Sequence, residues 1–219
     1  MGREKRDFKR PEANKDASLF VIATEGEVTE YQYFTQLADK IRNSKIHVEV
    51  IEKLDTNSDP KSTMKLLDKF KSEYNLTKTD ELWLVVDRDK HDEPNHIKNL
   101  TEVARMCSQK NYNLALSNPD FEIWFIFHKR SLDSLTIEEK ENLFENKKNS
   151  GRTQTEIFLV SLYGHYNKTN IDIELFVPDT MQAITNAKQA DTNPNERWQN
   201  NLGTRVYLIV EKLLSRRFI

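Results

Sequence analysis

Residues 82–91 read LWLVVDRDKH, five apolar residues in a row and then two aspartates separated by an arginine. An apolar run of that length fits a strand covered on both faces, which is what the middle of a parallel sheet requires. Side chains alternate along extended backbone, so the spacing points Asp87 and Asp89 one way and Arg88 the other. Upstream, residues 19–24 (LFVIAT) predict a second buried strand that runs into Glu25-Gly26-Glu27, and residues 46–51 (IHVEVI) predict a third. Downstream, residues 113–117 (NLALS) predict a fourth.

Helices fill the gaps between these strands. Thr29 and Gln32 make a T-x-x-Q capping box with a helical stripe of Val28, Tyr31, Phe34, Leu37 and Ile41 around it. Asp59-Pro60 is a cap followed by a first-turn proline, opening a helix that carries Met64, Leu67, Phe70 and Tyr74. A helix over about 95–110 places Cys107 in its apolar pattern. Asn118-Pro119 repeats the cap-plus-proline start ahead of Phe121, Trp124, Phe125 and His128. Residues 130–152 are polar and predict a loop; beyond them the pattern predicts helices near 153–165, 178–190 and 202–217. The β-α-β-α-β-α-β order predicts an α/β fold, a parallel sheet with right-handed crossovers flanked by helices, with a helical C-terminal extension. The expected organisation is a basic tail over 1–17, an α/β domain over 18–129, and a polar loop and helical extension over 130–219 packing on it.

The chain has 219 residues, 37% hydrophobic and 10% aromatic, which is enough bulky apolar material for a core. No stretch approaches the roughly 18 apolar residues of a membrane span, and the first twenty residues are polar and basic, so a cytoplasmic protein with no membrane partner is expected. One cysteine, Cys107, excludes a disulfide framework or a cysteine-based zinc site. The net charge of −2 excludes a surface that is basic all over. Even so, residues 1–15 hold six basic residues against three acidic ones, and Arg205, Lys212, Arg216 and Arg217 crowd the C-terminal fifteen. These are either phosphate-binding patches or a solvated tail and a helix C-terminus favoured by its dipole.

Ligands of parallel α/β sheets bind beyond the carboxyl ends of the strands, and two acidic motifs stand at such ends. If the strands ending at Thr24 and Asp87 are neighbours, Glu25 joins Asp87 and Asp89 at one sheet edge. Gly26 lets the backbone turn sharply and pass close to a ligand. Three carboxylates about 4–6 Å apart repel by about 1 kcal/mol per pair in water, and by about 3–4 kcal/mol at an effective dielectric of about 20. Such a cluster persists when a cation neutralises it or when one acid holds a raised pKa. Oxygen donors without cysteine point to Mg²⁺ or Mn²⁺.

The runs ATEGEVTEYQYF (23–34) and WLVVDRDKH (83–91) resemble the Toprim domain of topoisomerases, primases and overcoming-lysogenization-defect nucleases. The likeness is closer to the RloB-like (AbiLii-type) family of prokaryotic defence proteins. In that family E-G-E-x-T-E, D-R-D-x-H and S-N-P-x-F-E-x-W recur in this order, as they do at Glu25–Glu30, Asp87–His91 and Ser117–Trp124. A weaker likeness runs through Tyr166-Asn167-Lys168, Ala187, Ala190 and Pro194. The resemblance implies a Toprim-like sheet with Glu25 as metal ligand or general acid/base, and Asp87 and Asp89 as metal ligands. It further implies Glu30 as a second glutamate, Glu122 as the acid after the fourth strand, and Lys168 as a later catalytic lysine. His91 is either a phosphate donor or base, or an ordinary loop histidine. The implied activity is metal-dependent cleavage of DNA or RNA, tRNA included, in anti-phage defence (abortive infection) beside an ATPase encoded next to it. A homodimer is compatible with it.

Other readings stay open. One is a non-catalytic subunit that uses the acidic site to bind the ATPase or a nucleotide, and another is a primase-like phosphoryl-transfer enzyme. Phe121, Trp124 and Phe125 are either core or a base-stacking platform, with core favoured, as it is for His128. Tyr166 and Lys168 fall on a loop expected near the site.

Overall fold

The computed structural model describes residues 5–8, 17–41, 45–53, 59–88 and 94–216. Four parallel strands, β1 (Ser18–Thr24), β2 (Ile46–Ile51), β3 (Glu81–Asp87) and β4 (Asn113–Asn118), form the sheet in the order β2-β1-β3-β4. A two-residue strand, β5 (Gly203–Thr204), adds antiparallel to β4. The expected adjacency of the first and third predicted strands holds: Thr24 pairs with Val85. Residues 6–7 pair separately with residues 74–75.

The helices are α1 (Thr29–Ile41), α2 (Pro60–Glu73), α3 (Pro94–Lys110), α4 (Glu122–Phe127), α5 (Ile137–Glu145), α6 (Gln154–Tyr163), α7 (Thr180–Ala190) and α8 (Val206–Ser215). The alternation along the strands decides which helix covers which face. Phe20, Ile22, Trp83 and Val85 pack with Tyr33, Phe34, Leu37 and Ile41 of α1. The same cluster takes in Trp124 and Phe125 of α4, Leu159 of α6, Ala187 of α7 and Val210 of α8. Leu19, Val21, Leu82 and Leu84 face the other way, onto Met64 and Leu67 of α2 and Leu100, Val103 and Cys107 of α3. Cys107 is the small core residue expected, with burial pushing its thiol up to about 12. The helix after β1 and the helix after β3 thus lie on opposite faces, and that divergence opens a crevice at the carboxyl ends of these two neighbouring strands.

Several local expectations are corrected. Asn118-Pro119 does not cap a helix: its peptide is cis, Asn118 closes β4, and α4 begins only at Glu122. Asn118 Nδ2 instead donates to the carbonyls of Asn200 and Asn201 at 3.0 and 2.9 Å. The polar stretch 130–152 contains α5, whose Thr136 and Glu139 complete a capping box while only Leu143 of the helix is buried. Capping, rather than an apolar stripe, marks that helix. The C-terminal helix starts at Val206, because residues 203–204 are taken by the sheet. On α1 the buried face is Tyr33, Phe34, Leu37 and Ile41, with Val28 exposed and Tyr31 half-buried.

The basic C-terminal cluster is spent inside the fold. Arg205 is buried and grips Asp191 through Nε and Nη2 at 2.9 and 3.1 Å, while Lys212 and Arg216 both pair with Glu81 at 2.8 and 2.9 Å. Arg217 and most of residues 1–15 lie outside the described residues.

Candidate metal centre

β1 runs into Glu25 and Gly26, and the first turn of α1 follows at once. Glu25 is buried; its N–H donates to Val85 O at 2.9 Å and its Oε2 accepts the Asp87 N–H at 3.2 Å, so it ties the ends of β1 and β3 together. Lys53 Nζ donates to the Glu25 carbonyl at 3.1 Å. Glu30 folds back over Gly26, taking its N–H on Oε1 at 3.1 Å. A β-carbon on Gly26 would lie 1.9 Å from Glu30 Oε2, so any side chain here would displace the Glu30 carboxylate from its place over the turn.

β3 ends in Asp87. As the alternation predicts, Arg88 points elsewhere: its Nη1 donates to the carbonyls of Gln199 and Asn200 at 3.2 and 3.0 Å. Asp89 and His91 lie outside the described residues. The cis turn after β4 delivers Asp120 and Glu122. Asp120 Oδ2 accepts from Thr155 Oγ1 at 2.7 Å and from Asn146 Nδ2 at 2.6 Å. Tyr166 OH donates to Glu122 Oε1 at 3.0 Å. Lys168 Nζ pairs with Glu156 Oε1 at 3.0 Å, and Glu156 Oε2 accepts the Thr153 N–H at 3.0 Å.

Of these residues, Gly26, Glu30, Asp87, Asp120, Glu122, Glu156 and Lys168 line one open cavity of about 310 Å³. Burial comes first in raising the carboxyls, and neighbouring acids add to it. Asp87 is held well above the usual range by burial and then by Glu30, Asp120, Glu122 and Glu25. Asp120 is also well raised, burial and Glu122 outweighing the Thr155 and Asn146 hydrogen bonds. Glu30 is pushed up to about 7 by burial and then by Glu122, and Glu122 itself is raised by burial. Lys168 is raised, chiefly by its hydrogen bond to Glu156.

The donors fit a hard divalent cation. All are oxygens, and Asp87 Oδ1 and Asp120 Oδ1 are both out of solvent with no hydrogen-bond partner. A cation bound by both atoms would satisfy them and relieve the repulsion that adds to burial in raising the pKa values. Among the described residues no group of three or more His, Cys, Asp or Glu side chains is placed to hold a metal ion together. Sequence reasoning brought Glu25, Glu30, Asp87, Glu122 and Lys168 to this end of the sheet and missed Asp120 and Glu156. Asp120 was visible as the variable position of Asn118-Pro119-Asp120-Phe121-Glu122. Glu156 is hidden behind a capping role with Thr153 that it does perform.

The aromatic cluster is core, with Phe121, Trp124 and Phe125 fully buried. His128 is packed among Trp124, Phe125 and Phe176, its Nδ1–H donating to Trp124 O at 2.9 Å. Among the described residues no helix is long and apolar enough to cross a membrane. Residues 20–213 match the family model described as RloB-like protein. No curated protein and no solved structure matches the chain.

Proposed function

The chain belongs to the RloB-like protein family, and from that membership and the acidic basin we propose that it is a metal-dependent nuclease of Toprim type. It would act on DNA or RNA, tRNA included, in antiviral defence with an ATPase partner. The observation that carries the reading is the pair Asp87 and Asp120. These acids come from adjacent strand ends, line one cavity, and each keep one buried oxygen without a partner.

Asp87 and Asp120, with Glu30, Glu122 and Asp89, would hold one or two Mg²⁺ or Mn²⁺ ions, and Glu25 supports Asp87 from behind through its backbone N–H. When bound, the metal supplies a Lewis acid that neutralises the phosphate and activates water. Tyr166 fixes the rotamer of Glu122 through its hydroxyl. Lys168, at the rim, has an ammonium group that can leave Glu156 for a phosphate oxygen, an exchange of one anion for another. Because burial keeps protons on these acids, cation entry is coupled to proton release, and occupancy rises with pH.

The test is incubation of the full chain, alone and with the ATPase encoded beside it, with DNA, total RNA and tRNA in Mg²⁺ or Mn²⁺. Wild type is expected to give discrete cuts, and Glu25→Ala and Asp87→Ala to lose them by about 100-fold or more. Equal cutting by all three sinks the nuclease reading. No cutting by any of them, with the ATPase still bound, replaces it with the non-catalytic binding subunit.

A further inference from the structure

Thr29 and Gln32 were expected to cap α1, but they do something else. Thr29 Oγ1 donates to the carbonyl of Lys168 at 3.0 Å. Gln32 Nε2 donates to Thr169 O at 2.9 Å, and Gln32 Oε1 accepts the Ile171 N–H at 2.9 Å. One turn further on, Gln36 Nε2 donates to Ile171 O at 2.9 Å and Gln36 Oε1 accepts the Ile173 N–H at 3.3 Å. Positions 29, 32 and 36 share one helix face, away from the Tyr33, Phe34, Leu37 and Ile41 stripe that packs on the sheet. Each glutamine amide engages, as donor and acceptor at once, the backbone of the strap over 165–173 that follows α6, as a neighbouring β-strand would. The face therefore holds residues 168–173 by five hydrogen bonds to main-chain atoms.

That segment leaves α6 through Gly164, whose φ of 78° is in the left-handed region, and ends at the 3₁₀ turn Ile173–Leu175. It carries Tyr166, which reaches Glu122, and Lys168, which reaches Glu156. Neither of those contacts spans more than one side chain from the strap. A strap displaced by an ångström or two would break both.

We propose that Gln32 and Gln36 are positioning residues of the acidic centre, two amide clamps on α1 that fix where Tyr166 and Lys168 stand over the acids. The inference rests on the nuclease reading for what Lys168 does, but not for the clamp itself. The clamp acts on backbone, so the identities of residues 169–173 matter less than the two amides.

The experiment replaces both glutamines with a side chain of similar length and no hydrogen bonds, Gln32→Met and Gln36→Met together, alone and on a background that carries Tyr166→Phe and Lys168→Ala. Hydrogen–deuterium exchange over 168–173 is expected to rise about tenfold or more while the sheet strands stay protected. Cleavage is expected to fall to the level of the Tyr166→Phe/Lys168→Ala variant, and the combined variant to lose nothing further, because the clamp acts through those two side chains. Losses that multiply, unchanged cleavage with a loosened strap, or unchanged exchange each overturn the proposal. If wild type binds Mn²⁺ but cuts no nucleic acid, the nuclease reading fails separately. The clamp is then judged by Mn²⁺ affinity, which must shift in the double Met variant as it does in Tyr166→Phe, with no further shift on combining them. Unchanged Mn²⁺ affinity, or a wild type that binds no Mn²⁺, overturns it.

Discussion

His128 is the residue whose burial has the plainest thermodynamic consequence. Its imidazole is closed off among aromatic rings, and desolvation lowers its pKa from 6.5 to about 4 against the smaller opposing pull of the Trp124 carbonyl and Asp179. The folded protein therefore keeps it neutral where an unfolded chain would charge it. Below pH 6.5 the unfolded state binds the extra proton, so stability falls as pH drops from about 6.5 to about 4 and levels off below that. At 1.36 kcal/mol per unit, the loss is about 3 kcal/mol. Urea unfolding of wild type and His128→Phe at pH 7, 6, 5 and 4 isolates it, since the acids titrate in both. The difference between the two should change by that amount across the window. A constant difference would mean the histidine is not closed off. The packed aromatic reading of this residue came from its helical spacing to Trp124, an ordinary apolar pattern that local sequence carries well.

At the level of elements, the legible features are those made by neighbours in sequence. Asp59 caps α2 as its position before Pro60 predicts, accepting from the Lys61 and Ser62 N–H groups at 2.9 and 3.1 Å. Asp59→Ala should cost about 1 kcal/mol of stability, read as a lower denaturant midpoint at unchanged slope, and leave metal binding alone. A loss above about 3 kcal/mol would show that Asp59 does more than cap. Thr29-x-x-Gln32 has the same kind of signature and fails, because its side chains are claimed by a segment 137 to 139 residues away. Asn118-Pro119 fails likewise, its amide held by carbonyls of residues 200 and 201. A capping motif states what a side chain is able to bond locally; a distant backbone that offers a better partner overrides it. The four parallel strands had no such competitor and were readable from their short apolar-rich runs; the two-residue β5 was not, because residues 203–204 read as the start of a helix.

For the whole molecule, the buried acids are an unfavourable term that the fold retains. The sequence revealed acids at two strand ends, and the family resemblance added Glu122 after the fourth strand; that Asp120 and Glu156 line the same cavity follows only from the fold. Divalent cations should therefore stabilise the protein globally. At 100 times its dissociation constant, Mn²⁺ should add about 2.7 kcal/mol, read as a raised melting temperature that EDTA reverses. The effect should be greatly reduced in Asp87→Ala, and an equal shift in that variant would place the ion elsewhere. The strap described above also has a consequence for the order in which the protein is made. Glu25, Glu30, Asp87, Asp120 and Glu122 all leave the ribosome before Tyr166 and Lys168, and the carbonyls that hold Arg88 and Asn118 come later still. The nascent chain carries these acids first and gains the parts that aim them only later. Translation itself thus delays the moment at which the site is complete.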